Sequence, residues 1–390
     1  MRYKLKEIFD LQMGKTPSRH NSEYWNTNDY KWISIADLSQ AGKYISDTKE
    51  YISSSAVEES RIKVIPANTV VMSFKLSIGK TAITTEDMYS NEAIMAFHDK
   101  HVVEMLPEYI YYLFKYKNWD EGSNKAVMGK TLNKATLSEI EIEICPVSKQ
   151  KEIVNVLDKI TGILFSREKE PRLLDELIKS RFVEMFGDPI VNSMHWPEEL
   201  IGDSCFVTKL AGFEYTQYIH YEDSGDVVMV KAQNVKNGKL NRKDLSYISN
   251  EVSNSLPRSQ LATGDIVMTY VGANIGDVAV IDDEYKYHLA PNVAKIRPDT
   301  EKYNSVYFMY MLMFLNSYIV GNSADTAKAA LGMERIRKLK IFAPPIDLQK
   351  QFVSFVAQTD KSKLIIQKSL DELETLNKAL MQKYFGGSGV

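Results

Sequence analysis

Two segments of the chain carry apolar residues at steps of three and four, with charged and amide residues between them. The apolar positions are Ile153, Leu157, Ile160, Leu164, Leu174, Leu177 and Met185 in residues 147–186, and Ile366, Leu370, Leu373, Leu376, Leu380 and Tyr384 in residues 346–385. This pattern predicts a helix over each segment, with one apolar seam on a polar rod. At about 1.5 Å per residue, each helix would be roughly 60 Å long. Pro171 predicts a kink or break in the first helix, because proline cannot donate the helical hydrogen bond.

A polar helix of that length with a single apolar seam needs a partner that covers the seam. The favoured partner of each helix is the other one, which gives an antiparallel two-helix coiled coil separating two globular domains. The alternative, in which each helix packs separately on its own domain, stays open from the sequence.

Short runs of β-branched and aromatic residues, with Gly, Asn and Pro between them, predict strands in the rest of the chain. The runs are residues 31–35, 69–74 and 139–144 in the first half and residues 226–231, 265–270 and 278–281 in the second. Two aromatic stripes, residues 109–114 and 307–314, have helical spacing and predict buried helices rather than platforms on which bases stack. The predicted fold class is therefore mixed α/β.

The second half of the chain repeats the first. Five pairs of segments match in the same order, with an offset that drifts only from 196 to 199 residues. The matches are residues 51–53 with 247–249, 68–73 with 264–269, 78–79 with 275–276, Tyr109 and Tyr112 with Tyr307 and Tyr310, and 140–146 with 339–345. Collinear matches at a nearly constant offset indicate an internal duplication.

Composition limits the classes of function. The 390 residues suffice for two or three domains, and a net charge of −3 excludes a globally basic binder and leaves only local basic patches as a nucleic-acid footprint. Cys145 and Cys205 have no metal or disulfide spacing, and they are expected to be reduced core thiols. The N-terminus has no export signal, and the longest apolar run, residues 306–315, is too short to cross a bilayer. We expect a cytoplasmic protein without a membrane partner.

Motifs that suggest catalysis fail on inspection. Gly-Lys-Thr occurs at residues 14–16, 79–81 and 129–131, but the glycine that a phosphate-binding loop needs five residues earlier is missing each time. His98 and His101 are three residues apart in a charged stretch that is typical of a solvated turn, and no metal site is predicted. Neither a nucleophile elbow nor a motif that holds a flipped base is present. The sequence thus predicts a non-catalytic chain without a catalytic residue.

One stretch resembles a known family. Residues 173–189, Leu-Leu-Asp-Glu-Leu-Ile-Lys-Ser-Arg-Phe-Val-Glu-Met-Phe-Gly-Asp-Pro, followed by Trp196-Pro197, are similar to the central region of type I restriction-modification specificity subunits. Pro146 with Gln150, and Pro345 with Gln349, resemble the Pro-x-x-x-Gln helix starts of that family. The opening residues 3–8 and 14–17 resemble the start of its first recognition domain, so that the resemblance covers essentially the whole chain.

The resemblance implies two target recognition domains, related by internal duplication and separated by two long helices. The expected boundaries are residues 1–146 and 188–345 for the recognition domains, 147–187 and 346–385 for the spacer helices, and 386–390 for a flexible tail. Each domain would read one half of a bipartite site in double-stranded DNA. The spacer would set the gap and dock two modification subunits, and restriction subunits would join the complex. S-adenosylmethionine, ATP and Mg are expected on those partners, and no cofactor is expected on this chain.

Loops that follow strands are the first places to expect DNA contacts, because rigid elements hold their side chains at groove depth. The candidates combine cationic, amide, hydroxyl and aromatic side chains. They are Ser34, Lys75, Ser77, Lys80 and Lys125 in the first half and Lys231, Gln233, Asn234, Tyr270, Asn274 and Lys328 in the second.

Three other functions compete with this hypothesis. The main alternative is a stand-alone, sequence-specific DNA-binding protein without modification subunits. A nuclease with a dispersed acidic site predicts magnesium-dependent cleavage by the isolated chain. A purely structural coiled-coil scaffold leaves the matched polar loops of the two halves unexplained.

Overall fold

The computed structural model describes residues 1–25, 27–75, 77–119, 132–321 and 331–386. The candidate DNA contacts Lys125 and Lys328, and residues 387–390 of the expected tail, lie outside the described residues. The chain forms two compact units: unit 1 contains residues 1–168 and 368–390, and unit 2 contains residues 169–367. The units divide each long helix between them, so their limits differ from those of domains drawn along the chain.

Unit 1 combines mixed sheets with short helices and parts of the two long helices. Its elements, with all of the first long helix included, are β1 (Arg2–Lys4), α1 (Leu5–Ile8), β2 (Phe9–Met13), β3 (Tyr30–Ile33), α2 (Ile35–Gln40), β4 (Tyr44–Ile45), β5 (Glu50–Ile52), α3 (Ser54–Ser60), β6 (Val70–Ser73), β7 (Thr81–Thr84), β8 (Tyr89–Ser90), β9 (Ile94–Asp99), α4 (Pro107–Tyr116), α5 (Lys134–Ser138), β10 (Glu141–Glu143) and α6 (Val147–Phe186). The strands form sheets of order β2-β9-β6-β7-β4 and β5-β3-β8, and β1 pairs with β10.

Unit 2 repeats this plan. Its elements, with all of the second long helix included, are β11 (Glu198–Leu200), α7 (Ile201–Ser204), β12 (Cys205–Lys209), α8 (Gly212–Tyr218), β13 (Val227–Val230), β14 (Val235–Lys236), β15 (Lys239–Leu240), β16 (Tyr247–Ile248), α9 (Asn250–Ser255), β17 (Gln260–Leu261), β18 (Ile266–Thr269), β19 (Val278–Val280), β20 (Lys286–Leu289), β21 (Val293–Pro298), α10 (Ser305–Phe314), α11 (Asn316–Gly321), α12 (Met333–Arg337), β22 (Lys340–Phe342) and α13 (Ile346–Phe385). Its main sheets have the orders β12-β21-β18-β19 and β16-β13-β20-β17, and β11 pairs with β22.

The pairing of the strands confirms the duplication. In unit 1, β6 pairs antiparallel with β9 and β3 pairs parallel with β8. In unit 2, β18 pairs antiparallel with β21 and β13 pairs parallel with β20. Each of the six predicted strands overlaps an observed one, and the two aromatic stripes form the buried helices α4 and α10. The mixed α/β fold class is confirmed.

The two long helices are paired in both units, as the coiled-coil prediction requires. In unit 2, Lys363 Nζ donates to Asp175 Oδ1 at 2.6 Å, and the Phe182 and Phe352 ring centroids are 5.4 Å apart. In unit 1, Lys149 Nζ lies 5.9 Å from the Tyr384 ring centroid. Rising residue numbers on α6 thus meet falling numbers on α13, which makes the pair antiparallel. Within the described ranges, no helix is long and apolar enough to span a membrane.

The predicted apolar seam is wrong at Leu177 of α6. Leu177 is 47% exposed, whereas Ile178, Phe182 and Phe186 are fully or almost fully buried in the core of unit 2. Leu376 on α13 is exposed as well. The core of unit 2 receives large aromatic side chains at steps of four, and Leu177 lies outside that row. The sequence of α6 contains two overlapping apolar rows, one through Leu177 and one through Ile178, Phe182 and Phe186. Only the second row is buried against unit 2.

α6 ends in a C-terminal cap formed by Gly187 and Trp196. Gly187 has φ of +81° and its N–H donates to Val183 O, so the residue caps the helix in the left-handed conformation that glycine tolerates. The Trp196 indole then donates to Phe186 O at 3.0 Å. The Gly187 and Trp196 positions of the family-like stretch therefore satisfy carbonyls at the helix end.

α6 runs through Pro171 without interruption, so that of the predicted kink or break, the break is wrong. A single proline removes only one hydrogen bond, and packing in unit 1 (Ile153, Leu157) and in unit 2 (Ile178, Phe182) holds the helix on either side. Replacing Pro171 with Ala restores this bond and is expected to raise the free energy of unfolding by about 1–3 kcal/mol. Urea denaturation followed by circular dichroism measures the change. An unchanged or lowered free energy would show that the proline is not strained at this site.

Candidate nucleic-acid interface

The predicted DNA-binding loops of each repeat meet at one edge of its sheets. In unit 1, β2 ends, β6 ends and β9 begins at the same side, because Met13 pairs with Met95 and Ser73 pairs with Ile94. β3 runs parallel to β8 and therefore ends at that side too. We name this surface edge 1, formed by residues 14–18, 34, 74–75, 77–80 and 91–93.

Unit 2 builds the same surface. Lys209 pairs with Ala294 and Thr269 pairs with Val293, so that β12 and β18 end where β21 begins. β13 and β20 run parallel and end at the same side. We name this surface edge 2, formed by residues 209–211, 231–234, 270–277 and 290–292.

The same two backbone hydrogen bonds join the loops in both edges. In edge 1, Asn91 N–H donates to Ile33 O at 3.1 Å and Phe74 N–H donates to Ala93 O at 2.9 Å. In edge 2, Ala290 N–H donates to Val230 O at 3.2 Å and Tyr270 N–H donates to Asn292 O at 2.9 Å. In each unit, the turn after the parallel strand (β8 or β20) thus holds two candidate loops in place. These are the loop after β3 or β13 and the loop after β6 or β18.

Several candidate side chains of edge 1 are engaged inside the unit. Ser34 caps α2: its hydroxyl donates to Asp37 Oδ2 at 2.7 Å. Lys80 Nζ donates to the Ser39 hydroxyl, which ties the β6–β7 loop to α2. Ser77 supplies the carbonyl that accepts the Ser73 hydroxyl. These contacts shape the loops, and they limit what the same groups can offer to DNA.

Lys75 is different. Its ammonium lies 5.3 Å from the Phe74 ring centroid, and among the described residues it has no hydrogen bond or ion pair. Nearby, the Thr16 hydroxyl donates to the Glu92 carboxylate and lowers the pKa of Glu92, with smaller contributions from Lys75 and Arg19. Glu92 is therefore ionised at neutral pH and attracts the Lys75 ammonium. Because no carboxylate within the described ranges forms an ion pair with this ammonium, it can still contact a phosphate.

Edge 2 also contains candidates with internal roles. The Lys231 ammonium donates to Asp244 O and to the Ser246 hydroxyl, both at 2.9 Å. The Asn234 side chain is 2% exposed and fully engaged: it accepts from Lys231 N–H and donates to Asn241 O and Lys243 O. Both residues shape the loop after β13, and neither offers a free polar group to a base.

The exposed candidates of edge 2 are amides. Gln233 is exposed on the short turn Ala232–Asn234, which the buried Asn234 fixes, and Asn274 is exposed at the tip of the β18–β19 loop. The side chain of neither has a hydrogen bond within the described part of the chain. Amides in rigid settings can read adenine through two hydrogen bonds. Tyr270 is half-buried at the base of the same loop, where its N–H and carbonyl hold residues 292 and 331.

Sequence reasoning missed one cation of edge 2. Lys209 is exposed at the end of β12, and its ammonium lies 5.3 Å from the Tyr270 ring centroid. The strand that ends at Lys209, β12, was not predicted, because apolar and polar residues do not alternate along Cys205–Lys209. The duplication offset could have found it, since β2 lies 196 residues earlier.

No grouping suited to metal binding occurs in the part of the chain that the structure describes. Both edges instead present lysine, amide, hydroxyl and aromatic groups on fixed loops. That chemistry suits phosphates and base edges.

Comparisons with known proteins agree with this fold. A chain from a structural study of complex assembly and conformational transition of the type I R-M system has a TM-score of 0.62 at 15% identity, over 99% of this chain and 97% of that chain. The S subunit of the type I restriction-modification system of M. genitalium has a TM-score of 0.52 at 15% identity, over 98% and 95%. The fold is therefore that of a specificity subunit.

The family is shown by sequence. The model of the Type I restriction modification DNA specificity domain matches residues 1–174 and 207–375, and the chain belongs to this family. The type I restriction enzyme MjaIX specificity subunit of Methanocaldococcus jannaschii is 26% identical over 98% of this chain and 92% of its own length. The EcoprrI specificity subunit of Escherichia coli is 21% identical over 91% and 86%.

Proposed function

We propose that this chain is the non-catalytic DNA-recognition subunit of a type I restriction-modification complex in the cytoplasm. Each repeat reads one half of a bipartite site in double-stranded DNA through its edge, and the helical spacer sets the gap. Two modification subunits, docked on the spacer, bring S-adenosylmethionine and methyl transfer. Restriction subunits bring ATP- and Mg-dependent cleavage. The chain itself holds no cofactor.

One observation carries this proposal: the chain builds the same loop frame twice and fills it with different side chains. The backbone hydrogen bonds from residues 91 and 74 recur at residues 290 and 270. By contrast, Lys75 of edge 1 corresponds to Val271 of edge 2, and Lys80 corresponds to Asp277. A shared frame that carries different side chains is what two unlike half-sites require.

Methylation mapping tests the proposal. The chain is co-expressed with a type I modification subunit, and methylated adenines are mapped across the host genome. A single bipartite motif with a fixed gap is expected. Exchanging residues 1–146 for the corresponding domain of a relative should change one half of the motif and leave the other half intact. A stable complex that methylates a continuous site, or none, would contradict the proposal. Specific DNA binding by the chain alone, without a stable complex, would favour the stand-alone binder.

Apolar side chains exposed on the helix pair support docking of the modification subunits. Leu364 and Ile365 on α13 are 71% and 69% exposed, one and two residues after Lys363, which contacts α6. Leu173 on α6 is exposed in the same unit. Leu364 and Ile365 are neighbours on the helix, and a contiguous exposed apolar patch is typical of a protein-binding surface.

Replacing Leu364 and Ile365 with Glu should weaken the complex with the modification subunit by about 100-fold or more. Two buried aliphatic side chains contribute about 1.5–3 kcal/mol each. Size-exclusion chromatography and titration calorimetry measure the loss. Gln358→Glu, an exposed position on the same helix, is the matched control. The free energy of unfolding of the isolated chain should stay the same, because both side chains are exposed. Unaltered affinity would place the docking surface elsewhere.

A further inference from the structure

Each long helix has a fully buried glutamine in its first turn. Gln150 is the fourth residue of α6, Gln349 is the fourth residue of α13, and both are 0% exposed. A buried amide is costly unless its donors are satisfied, and a side chain on the first turn of a surface helix would normally be solvated. Two such residues at equivalent positions therefore call for a specific role.

Gln150 joins three segments of unit 1. Its Oε1 accepts from Leu106 N–H at 2.9 Å, and its Nε2 donates to Glu104 O at 2.9 Å and to Cys145 O at 2.8 Å. Cys145 lies in the connection between β10 and α6, and Leu106 is the residue just before α4, packed against the core of the unit. One amide thus fixes the start of the long helix to the domain that it leaves.

Gln349 makes the same three bonds in unit 2. Its Oε1 accepts from Asn304 N–H at 2.8 Å, and its Nε2 donates to Lys302 O at 2.9 Å and to Pro344 O at 2.8 Å. Asn304 caps α10, the counterpart of α4. The network is therefore built twice, while side chains on edges 1 and 2 differ. Its function is therefore one that both repeats share and that does not depend on the half-site each repeat reads.

We infer that Gln150 and Gln349 are positioning residues that set the gap between the half-sites, by fixing the direction in which each spacer helix leaves its domain. This inference rests on the proposed function. A helix of 40 residues is about 60 Å long, so a change of about 4° at its start moves the far end by about 4 Å. That displacement exceeds the rise of about 3.4 Å per base pair in DNA. A loosened start would therefore let the complex accept gaps that differ by one base pair.

The test uses the complex of the full chain with its modification subunit and a DNA library. Each duplex carries the two half-sites of the wild-type motif, with the gap shortened or lengthened by up to two base pairs. Transfer of labelled methyl groups from S-adenosylmethionine is measured for every gap. Gln150→Leu and Gln349→Leu remove all three bonds. Gln150→Asn and Gln349→Asn keep the amide on a side chain one carbon shorter, and they are measured where a Leu variant does not fold. Gln358→Asn, on the exposed side of α13, is the matched control.

The ratio of methylation at the wild-type gap to that at gaps one base pair different decides the inference. We expect it to fall at least about tenfold in the Gln150 and Gln349 variants, with both half-site sequences unchanged, and to stay constant in Gln358→Asn. A merely structural role would lower methylation equally at all gaps and leave the ratio unchanged, which would overturn the inference. If the wild-type complex methylates no bipartite motif, the proposed function itself fails, a result distinct from an unchanged ratio.

Discussion

The double variant Lys75→Gln/Lys209→Gln is expected to bind its DNA site about 100-fold more weakly, or weaker still, at low salt. Both ammonium groups lie at the edges formed by the strand ends, each about 5 Å from an aromatic ring, and neither has a hydrogen bond or ion pair among the described residues. A hydrogen bond to a charged group contributes about 1.5–3 kcal/mol, so each lost phosphate contact costs about tenfold or more in affinity. The slope of log K against log salt should fall by about 0.9 for each lysine.

Fluorescence anisotropy with the complex of specificity and modification subunits, from 50 to 200 mM salt, measures both quantities. The matched control is Lys231→Gln, since the Lys231 ammonium is already engaged with Asp244 O and Ser246 Oγ. This control should keep the salt slope and lower the free energy of unfolding by about 1–3 kcal/mol. If Lys231→Gln reduced the slope and the double variant did not, the assignment of internal and DNA-facing lysines would be reversed.

The helices and the duplication could be predicted from the sequence because they depend on local spacing. The apolar steps over residues 147–186 and 346–385 mark the helix ends, and they match α6 and α13. The break predicted at Pro171 does not occur, because the free energy lost with one hydrogen bond is small compared with the stabilisation by packing on either side of Pro171. Leu177 misled the prediction for another reason: two apolar rows overlap on α6, and only contact with unit 2 shows which one is buried.

The candidate interface could be predicted only in part. Strand ends suggested loops that lie together in the structure, but their meeting depends on parallel pairing between β3 and β8, which are separated by more than fifty residues. The role of each side chain depends on such distant partners too. Lys231 and Gln233 look alike as exposed polar residues, yet the Lys231 ammonium bonds to Asp244 O and Gln233 has no such partner among the described residues. Asn234 looked like a DNA contact and is buried beneath that loop.

Phe182→Ala is expected to destabilise unit 2 by about 3–5 kcal/mol, the largest stability effect we predict for one side chain. The ring is fully buried in the family-like stretch, stacks on Tyr307 at 5.7 Å between centroids and meets Phe186, Phe314 and Phe352 edge-on or tilted at 5.0–5.4 Å. Removing the ring eliminates four aromatic contacts and leaves a cavity. The surrounding rings cannot move far enough to fill this cavity completely. Because α6 and α13 meet through this cluster in unit 2, the pairing of the helices weakens as well.

Amide hydrogen exchange resolves the effect by segment. Exchange of the buried strand β18 (Ile266–Thr269) should accelerate by the factor that corresponds to the lost free energy, because its side chains lie in the same core as Phe182. Leu177→Ala, five residues earlier on the same helix and largely exposed, is the matched control and should change the free energy of opening by no more than about 0.5 kcal/mol. Equal effects of the two variants would mean that the aromatic cluster does not hold the helix pair to unit 2, and that the exposed row of α6 contributes as much as the buried one.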